Sequence, residues 1–201
     1  MSLPKRVYEA IGLGKVGDNS HPIHPATIHF PIAFLTLANG ARLVYGSALN
    51  FNIPFSADSR NLFTIASISY ASNILGLVTV IPALLTGFAE AYAMISANGL
   101  YMTTSNGEKQ MIPKVKTTLL HAGINDLAVG IAAYNWLKER NAVDFRPEAH
   151  QVGLSAIALM ATFYAAFLGG SLIYTHGVGV QRQGKGLEEK TKKMAEIKKS
   201  M

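Results

Sequence analysis

Four long runs of apolar residues, separated by polar segments, dominate the sequence. They cover about residues 28–44, 62–97, 117–137 and 152–175. A bilayer core takes about 20 helical residues to cross, so runs of this length are typical of membrane-spanning helices. The pattern predicts an all-α integral membrane domain at about residues 24–180, between an N-terminal tail (1–23) and a basic C-terminal tail (181–201).

The second run is longer than a bilayer requires, and Pro82 lies inside it. A proline in a helix interior removes a backbone hydrogen bond, so we expect a bend there. The last turns of this helix should project beyond the hydrocarbon or line a cavity enclosed by protein. Because the connections are short, the four helices are predicted to form an up-down-up-down four-helix bundle.

The composition supports a membrane protein. Charged residues make up only 15% of the chain and hydrophobic residues 49%, whereas soluble domains have about 25% charged residues. The chain has no cysteine, which excludes disulfides, thiolate metal ligands and cysteine nucleophiles. The net charge is +6, but the basic residues occupy the tails and one loop without a nucleic-acid-binding motif, so no nucleic acid partner is expected.

The distribution of basic residues predicts the orientation. With four spans, the two tails and the loop between the second and third spans share one side, which carries 13 of the 18 Lys and Arg residues. The positive-inside rule then places both termini in the cytoplasm, or in the matrix if the membrane is mitochondrial. Arg42 near the far end of the first span is expected to extend to the membrane surface. The Lys-rich C-terminal tail is expected to be solvated, and attraction to anionic lipid is a secondary interpretation.

Ionisable residues at the ends of the predicted spans are the candidate site. Such residues are costly in a membrane and usually mark a function. The predicted topology brings one set to the basic side of the bundle: His24, His29, His121, His176 and Glu90. Asn125 lies four residues after His121 on the same helix face, whereas Asp126 is turned away from it. Of the two histidines that open the first span, we favour His29 as the one that turns inward.

Two stretches, HPATIHFPIA at 24–33 and LGGSLIYTHGVGV at 168–180, together with His121, resemble an integral-membrane family labelled domain of unknown function 2231. The resemblance extends over about residues 21–181. It implies a four-helix membrane domain whose recurring histidines match His24, His29, His121 and His176. It also implies redox work, because similar domains occur joined to Rieske-type iron–sulfur domains.

Two hypotheses give the histidines a cofactor. In the first, haem b is bound by His29 together with His121 or His176, with His24 as a further candidate, and the protein transfers electrons to or from a redox partner. Asn125 is expected to contribute as a hydrogen-bond acceptor for the second ring nitrogen of a ligating histidine. In the second, a non-haem zinc, iron or copper ion is held by His24, His29, His121, His176 and Glu90. The sequence contains no HExxH motif and no Glu-x-x-His pair.

Other hypotheses need no cofactor. The protein could be a non-catalytic membrane scaffold or an accessory subunit of a larger, respiratory-type complex, and its Gly- and Ala-rich spans would also suit a homo-oligomer. A proton or solute pathway through His121, Asn125, Asp126 and Glu90 is a further alternative. No Ser-His-Asp signature is present and no catalytic residue is predicted, so an electron carrier or accessory protein is favoured over a stand-alone enzyme.

Overall fold

The computed structural model describes residues 23–51, 53, 58–180 and 184–200. Most of the predicted N-terminal tail therefore lies outside the described residues. The described elements, in chain order, are α1 (Ile23–Thr27), α2 (His29–Asn50), α3 (Ser59–Asn98), β1 (Tyr101–Thr103), β2 (Lys109–Met111), α4 (Pro113–Glu139), a 3₁₀ turn (Val143–Phe145), α5 (Ala149–Tyr174) and α6 (Gly184–Ser200). The all-α prediction is confirmed, apart from the two short strands.

Three described helical segments are long and apolar enough to cross a membrane: Ile23–Asn50, Ser59–Asn98 and Ala149–Tyr174. The sequence predicted four spans. Helix α4 has 27 residues, which is sufficient length, but it carries Lys114, His121, Asn125, Asp126 and Asn135 along its course. Its polar residues therefore distinguish it from the three apolar helices.

The strands β1 and β2 form an antiparallel hairpin between α3 and α4. Tyr101 pairs with Met111 and Thr103 with Lys109. Gly107 in the turn has φ of +81°, a left-handed conformation that glycine adopts without a steric penalty. The sequence indicated only a polar loop here, because strands of three residues are too short to produce a recognisable alternation.

The chain divides into two compact units. The first unit comprises the described residues up to Thr27, the segment Pro82–Leu119 and the described residues from Leu168 onward. The second unit comprises Ile28–Ile81 and Leu120–Phe167. The boundary within α3 falls at Pro82, which lies inside a continuous helix.

Helix α2 packs against the N-terminal half of α3 within the second unit. Ser69 Oγ donates a hydrogen bond to the Ala38 carbonyl oxygen at 3.0 Å, and the Leu35 side chain occupies the place where Gly76 would otherwise carry a Cβ. Ala38 lies opposite Ser69, and Leu35, which is earlier in α2, lies opposite Gly76, which is later in α3. The two segments are therefore antiparallel.

The other two helices of the second unit join this pair. On α4, Asn135 donates to Ser155 of α5 at 3.4 Å, and the Ala132 carbonyl oxygen accepts from Asn73 Nδ2 of α3 at 2.9 Å. Val152 of α5 lies against Gly46 of α2. Four helical segments are therefore in contact within this unit.

Candidate functional site

His121 lies half-buried on α4 and is oriented by α5. Its Nδ1 is 2.8 Å from the carbonyl oxygen of Ala165. A carbonyl oxygen only accepts hydrogen bonds, so Nδ1 carries a proton, and in the neutral imidazole Nε2 holds the lone pair. This assignment of the tautomer follows from the hydrogen-bond geometry.

Asn125 lies beside His121, as its spacing of four residues predicted. Asn125 Nδ2 donates to the His121 carbonyl oxygen at 2.8 Å and is 3.3 Å from Nε2 of the ring. The sequence suggested that Asn125 would accept a hydrogen bond from the imidazole. In the structure the acceptor is instead a backbone carbonyl on another helix, which no sequence motif reveals.

His24 has a similar arrangement in the first unit. It is half-buried, and its Nδ1 is 3.0 Å from the Ala83 carbonyl oxygen and 3.2 Å from Thr86 Oγ1, both on α3. A Cβ on Gly87 would lie only 2.9 Å from His24 Cε1, so the ring packs at this point because the residue is glycine. Thr27 Oγ1 adds a second contact to Thr86, at 3.1 Å.

Of the two histidines that open the first span, the sequence favoured His29 as the one that turns inward, but the structure buries His24 more. His29 is exposed as the first residue of α2, whereas His24 is half-buried against α3. The five-residue separation places the two side chains on different faces, and the packing of α1 on α3 brings His24 against α3. His176 is half-buried after the end of α5, and Glu90 is buried on α3.

The predicted histidine set is divided between the two units. His24, Glu90 and His176 belong to the first unit, and His29, His121 and Asn125 to the second. Within the part of the chain that the structure describes, no group of three or more His, Asp or Glu side chains is positioned to hold a metal ion. The non-haem metal hypothesis therefore gains no support from the arrangement of these residues.

A buried ion pair in the second unit is the feature that sequence reasoning missed. Arg42 of α2 donates from Nε and Nη2 to the two carboxylate oxygens of Glu139 at the end of α4, and the Nη2–Oε2 distance is 2.7 Å. The exposed fractions of the two side chains are 0% and 1%. Arg42 therefore does not extend to the membrane surface as expected, because Glu139 neutralises it in the protein interior.

Polar side chains from three helices surround this ion pair. Asn39 accepts from Arg42 Nη1 at 3.4 Å, and Gln151 of α5 donates to Glu139 Oε1 at 3.4 Å. We call Arg42, Glu139, Asn39, Gln151, Asn135 and Ser155 the buried polar network; each is at most 2% exposed. The sequence signal was present in the pairs 39/42, 135/139 and 151/155, which place two polar residues on one face of three different helices.

The comparisons with known proteins identify the family. Neither the curated proteins nor the solved structures gave a significant match. One family model matches residues 20–182, which include helices α1 to α5 and all four of the predicted site histidines. The chain therefore belongs to the family described as "Predicted membrane protein (DUF2231)".

Proposed function

We propose that this chain is a four-span membrane protein that binds haem through histidine and transfers electrons. The observation that carries the proposal is the hydrogen bond between His121 Nδ1 and the Ala165 carbonyl oxygen. Histidines that ligate metals commonly donate their second ring N–H to a carboxylate or a backbone carbonyl, which sets the tautomer and the orientation of the ring. The hydrogen bond from Nδ1 orients the His121 ring in this way and leaves Nε2 as the nitrogen that would ligate the iron.

The surroundings of His121 are compatible with an axial ligand. The ring is half-buried, and ligation at Nε2 would replace its 3.3 Å contact with Asn125, whose amide would keep its hydrogen bond to the His121 carbonyl oxygen. His24 offers the same Nδ1-to-carbonyl arrangement in the first unit. His29 and His176 remain candidates through the family resemblance.

Haem suits these residues better than a non-haem metal. Structural and catalytic zinc sites take three or four protein ligands, and the described residues bring no three His, Asp or Glu side chains together. Haem iron takes one or two axial ligands from the protein. Haem supplies a one-electron couple, and its axial ligands and their hydrogen bonds tune the reduction potential.

The four-span topology is supported by the packing of α4. His121 and Asn135 of α4 contact Ala165 and Ser155 of α5, so the two helices run antiparallel alongside each other over about fourteen residues of α4 and ten of α5. Because α5 is apolar enough to span, α4 should cross the bilayer beside it. This would give an up-down-up-down arrangement with both termini on the basic side.

The absorption spectrum of the purified full-length protein, oxidised and then reduced, tests the proposal. Produced in a haem-competent host, the protein should show a Soret band that shifts and sharpens on reduction. His121→Ala should lower the haem content, while His150→Ala should not, because His150 is exposed and contacts Tyr134 instead. A colourless protein, or equal loss from both variants, would contradict the proposal.

Metal analysis of the same sample separates the alternatives. Stoichiometric iron with a Soret band supports haem, whereas stoichiometric zinc, copper or iron without that band would favour the non-haem hypothesis. A protein with neither would leave the scaffold or accessory-subunit hypothesis.

A further inference from the structure

Asp126 occupies the middle of α4 on an exposed face. It lies thirteen residues from both Pro113 and Glu139, which is about 20 Å from either helix end. Its neighbour Leu127 is 53% exposed. The spacing to His121 predicted that Asp126 would face away from that histidine, and the structure places it on the outer surface of the second unit.

The Asp126 carboxylate has no partner within the described part of the chain: it accepts no hydrogen bond and joins no ion pair there. An ionised carboxylate at the centre of a bilayer is costly by several kcal/mol, so such residues normally face protein or water and pair with another group. Lipid alone is therefore a poor neighbour for this face.

The surface around Asp126 is a shallow depression lined mainly by apolar atoms. An open groove of about 430 Å³ is lined by Asp126, Leu127, Gly130, Ile131, Tyr134 and Leu154. A Cβ on Gly130 or on Gly123 would meet no atom within 4 Å, so the backbone of α4 is open to close approach here. Small residues at helical spacing allow transmembrane helices to pack closely.

The polarity of α4 also favours the docking of a further helix on the face that carries Asp126. Among the four long helices, α4 is the one that does not reach the apolarity of a candidate span. His121 and Asn135 already contact α5, and Asn125 bonds to the His121 carbonyl oxygen. Asp126 is therefore the mid-helix polar residue that another protein helix would cover.

We propose that this groove binds a transmembrane helix of another protein that carries a Lys or Arg at mid-membrane depth, which pairs with Asp126. A second copy of this chain is a poorer match, because it would bring a second Asp126 to the groove. On the described parts of α2 to α5, Arg42 is already paired with Glu139, and the Lys and other Arg side chains lie near helix ends. The inference rests on the proposed four-span topology but not on haem binding.

The test measures association with a designed helix in lipid vesicles. The chain has no cysteine, so Ser105→Cys in the exposed hairpin turn takes a single donor dye without affecting the groove. The probe is an acceptor-labelled Leu/Ala-rich transmembrane peptide with one central Lys. Control peptides carry Leu in place of Lys, or the Lys moved two turns toward one end. All are reconstituted in phosphatidylcholine vesicles.

The central-Lys peptide should associate with the protein about tenfold more tightly than the Leu peptide, a difference within the range of interhelical polar contacts in membranes. Asp126→Asn should abolish the difference, while Asp144→Asn, which changes an exposed carboxylate outside the spans, should retain it. Equal association of both peptides with the protein, or an undiminished Lys preference in Asp126→Asn, would overturn the proposal. So would self-association of the chain that excludes the Lys peptide.

A second measurement distinguishes failure of the docking site from failure of the topology. An Asp126→Cys variant should be protected from a membrane-impermeant maleimide on both sides of the vesicle. Rapid labelling would show that α4 is not embedded and would overturn both the four-span topology and the docking proposal, whereas protection without a Lys preference would overturn the docking proposal alone. The haem spectrum is independent of both results.

Discussion

Arg42 and Glu139 form a bidentate ion pair that joins α2 to α4 across 97 positions of the sequence. Both side chains are buried, and Gln151 extends the interaction to α5. Taking two charges out of water is expensive, and their attraction compensates only when the geometry is good and further hydrogen bonds are made. The pair therefore makes the packing of three helices in the second unit depend on two residues.

Removing one member of this pair should destabilise the protein strongly. Glu139→Ala leaves the Arg42 guanidinium buried without its counter-charge, and such changes cost about 3–5 kcal/mol. We expect a loss of this size in the free energy of unfolding, measured by denaturant titration in mixed micelles.

The matched control is Asp144→Asn, which removes the charge from the exposed pair between Asp144 and Arg146 and should cost less than about 1 kcal/mol. Asparagine is chosen because Asp144 has φ of +55°, a conformation that asparagine tolerates. The double variant Arg42→Leu/Glu139→Leu should recover most of the stability lost in Glu139→Ala, because it removes both charges together. Equal effects of Glu139→Ala and Asp144→Asn would show that the buried pair has no special role.

Gly46→Ala should loosen the contact between α2 and α5. The new Cβ would lie 2.6 Å from Cγ1 of Val152, and the β-branched valine has little rotamer freedom to move away. Overpacking of this kind costs about 1–3 kcal/mol, which would appear as a lower melting temperature in detergent.

Gly40→Ala on the same helix is the control for Gly46→Ala, since a Cβ there meets no atom within 4 Å and alanine favours the helix. Adding Val152→Ala to Gly46→Ala should relieve the clash. Equal effects of Gly40→Ala and Gly46→Ala would contradict the close approach of α2 and α5.

Gly87→Ala should displace the His24 imidazole from α3. The Cβ would approach His24 Cε1 to 2.9 Å, so the hydrogen bond from Nδ1 to the Ala83 carbonyl oxygen should break. Nitrogen-15 NMR of labelled histidines measures this, because a protonated and an unprotonated ring nitrogen have distinct shifts. The His24 signals should change while those of His121 stay constant; Gly170→Ala, in open space, should change neither.

Single cysteines at Ser105 and Val143 should be labelled from opposite sides of the membrane. Ser105 lies in the hairpin before α4, and Val143, which is 77% exposed, lies after it. If α4 crosses the bilayer, an impermeant maleimide added to sealed, oriented vesicles reaches only one of the two positions. Labelling of both from the same side would show that α4 does not cross and would reduce the number of spans to three.

The sequence predicted the helical segments well because their signal is local. A run of about 20 apolar residues must form a helix in a bilayer, where backbone groups find no water to bond. The motifs that resemble the family also lie within the chain, and the family model matches residues 20–182. The same local signal indicated that His121 and Asn125 share a face, because helical spacing alone determines it.

Only the tertiary structure decided which polar groups meet. The contact between Arg42 and Glu139, the acceptor role of the Ala165 carbonyl oxygen, and the burial of His24 in preference to His29 depend on how each helix is rotated about its axis. That rotation is determined by the packing of small and large side chains on neighbouring helices, such as Gly46 against Val152, and not by the pattern within one helix. The sequence by itself therefore determined a helical membrane protein of this family, while packing between distant helices determined the buried ion pair, the orientation of the histidines and the exposed position of Asp126.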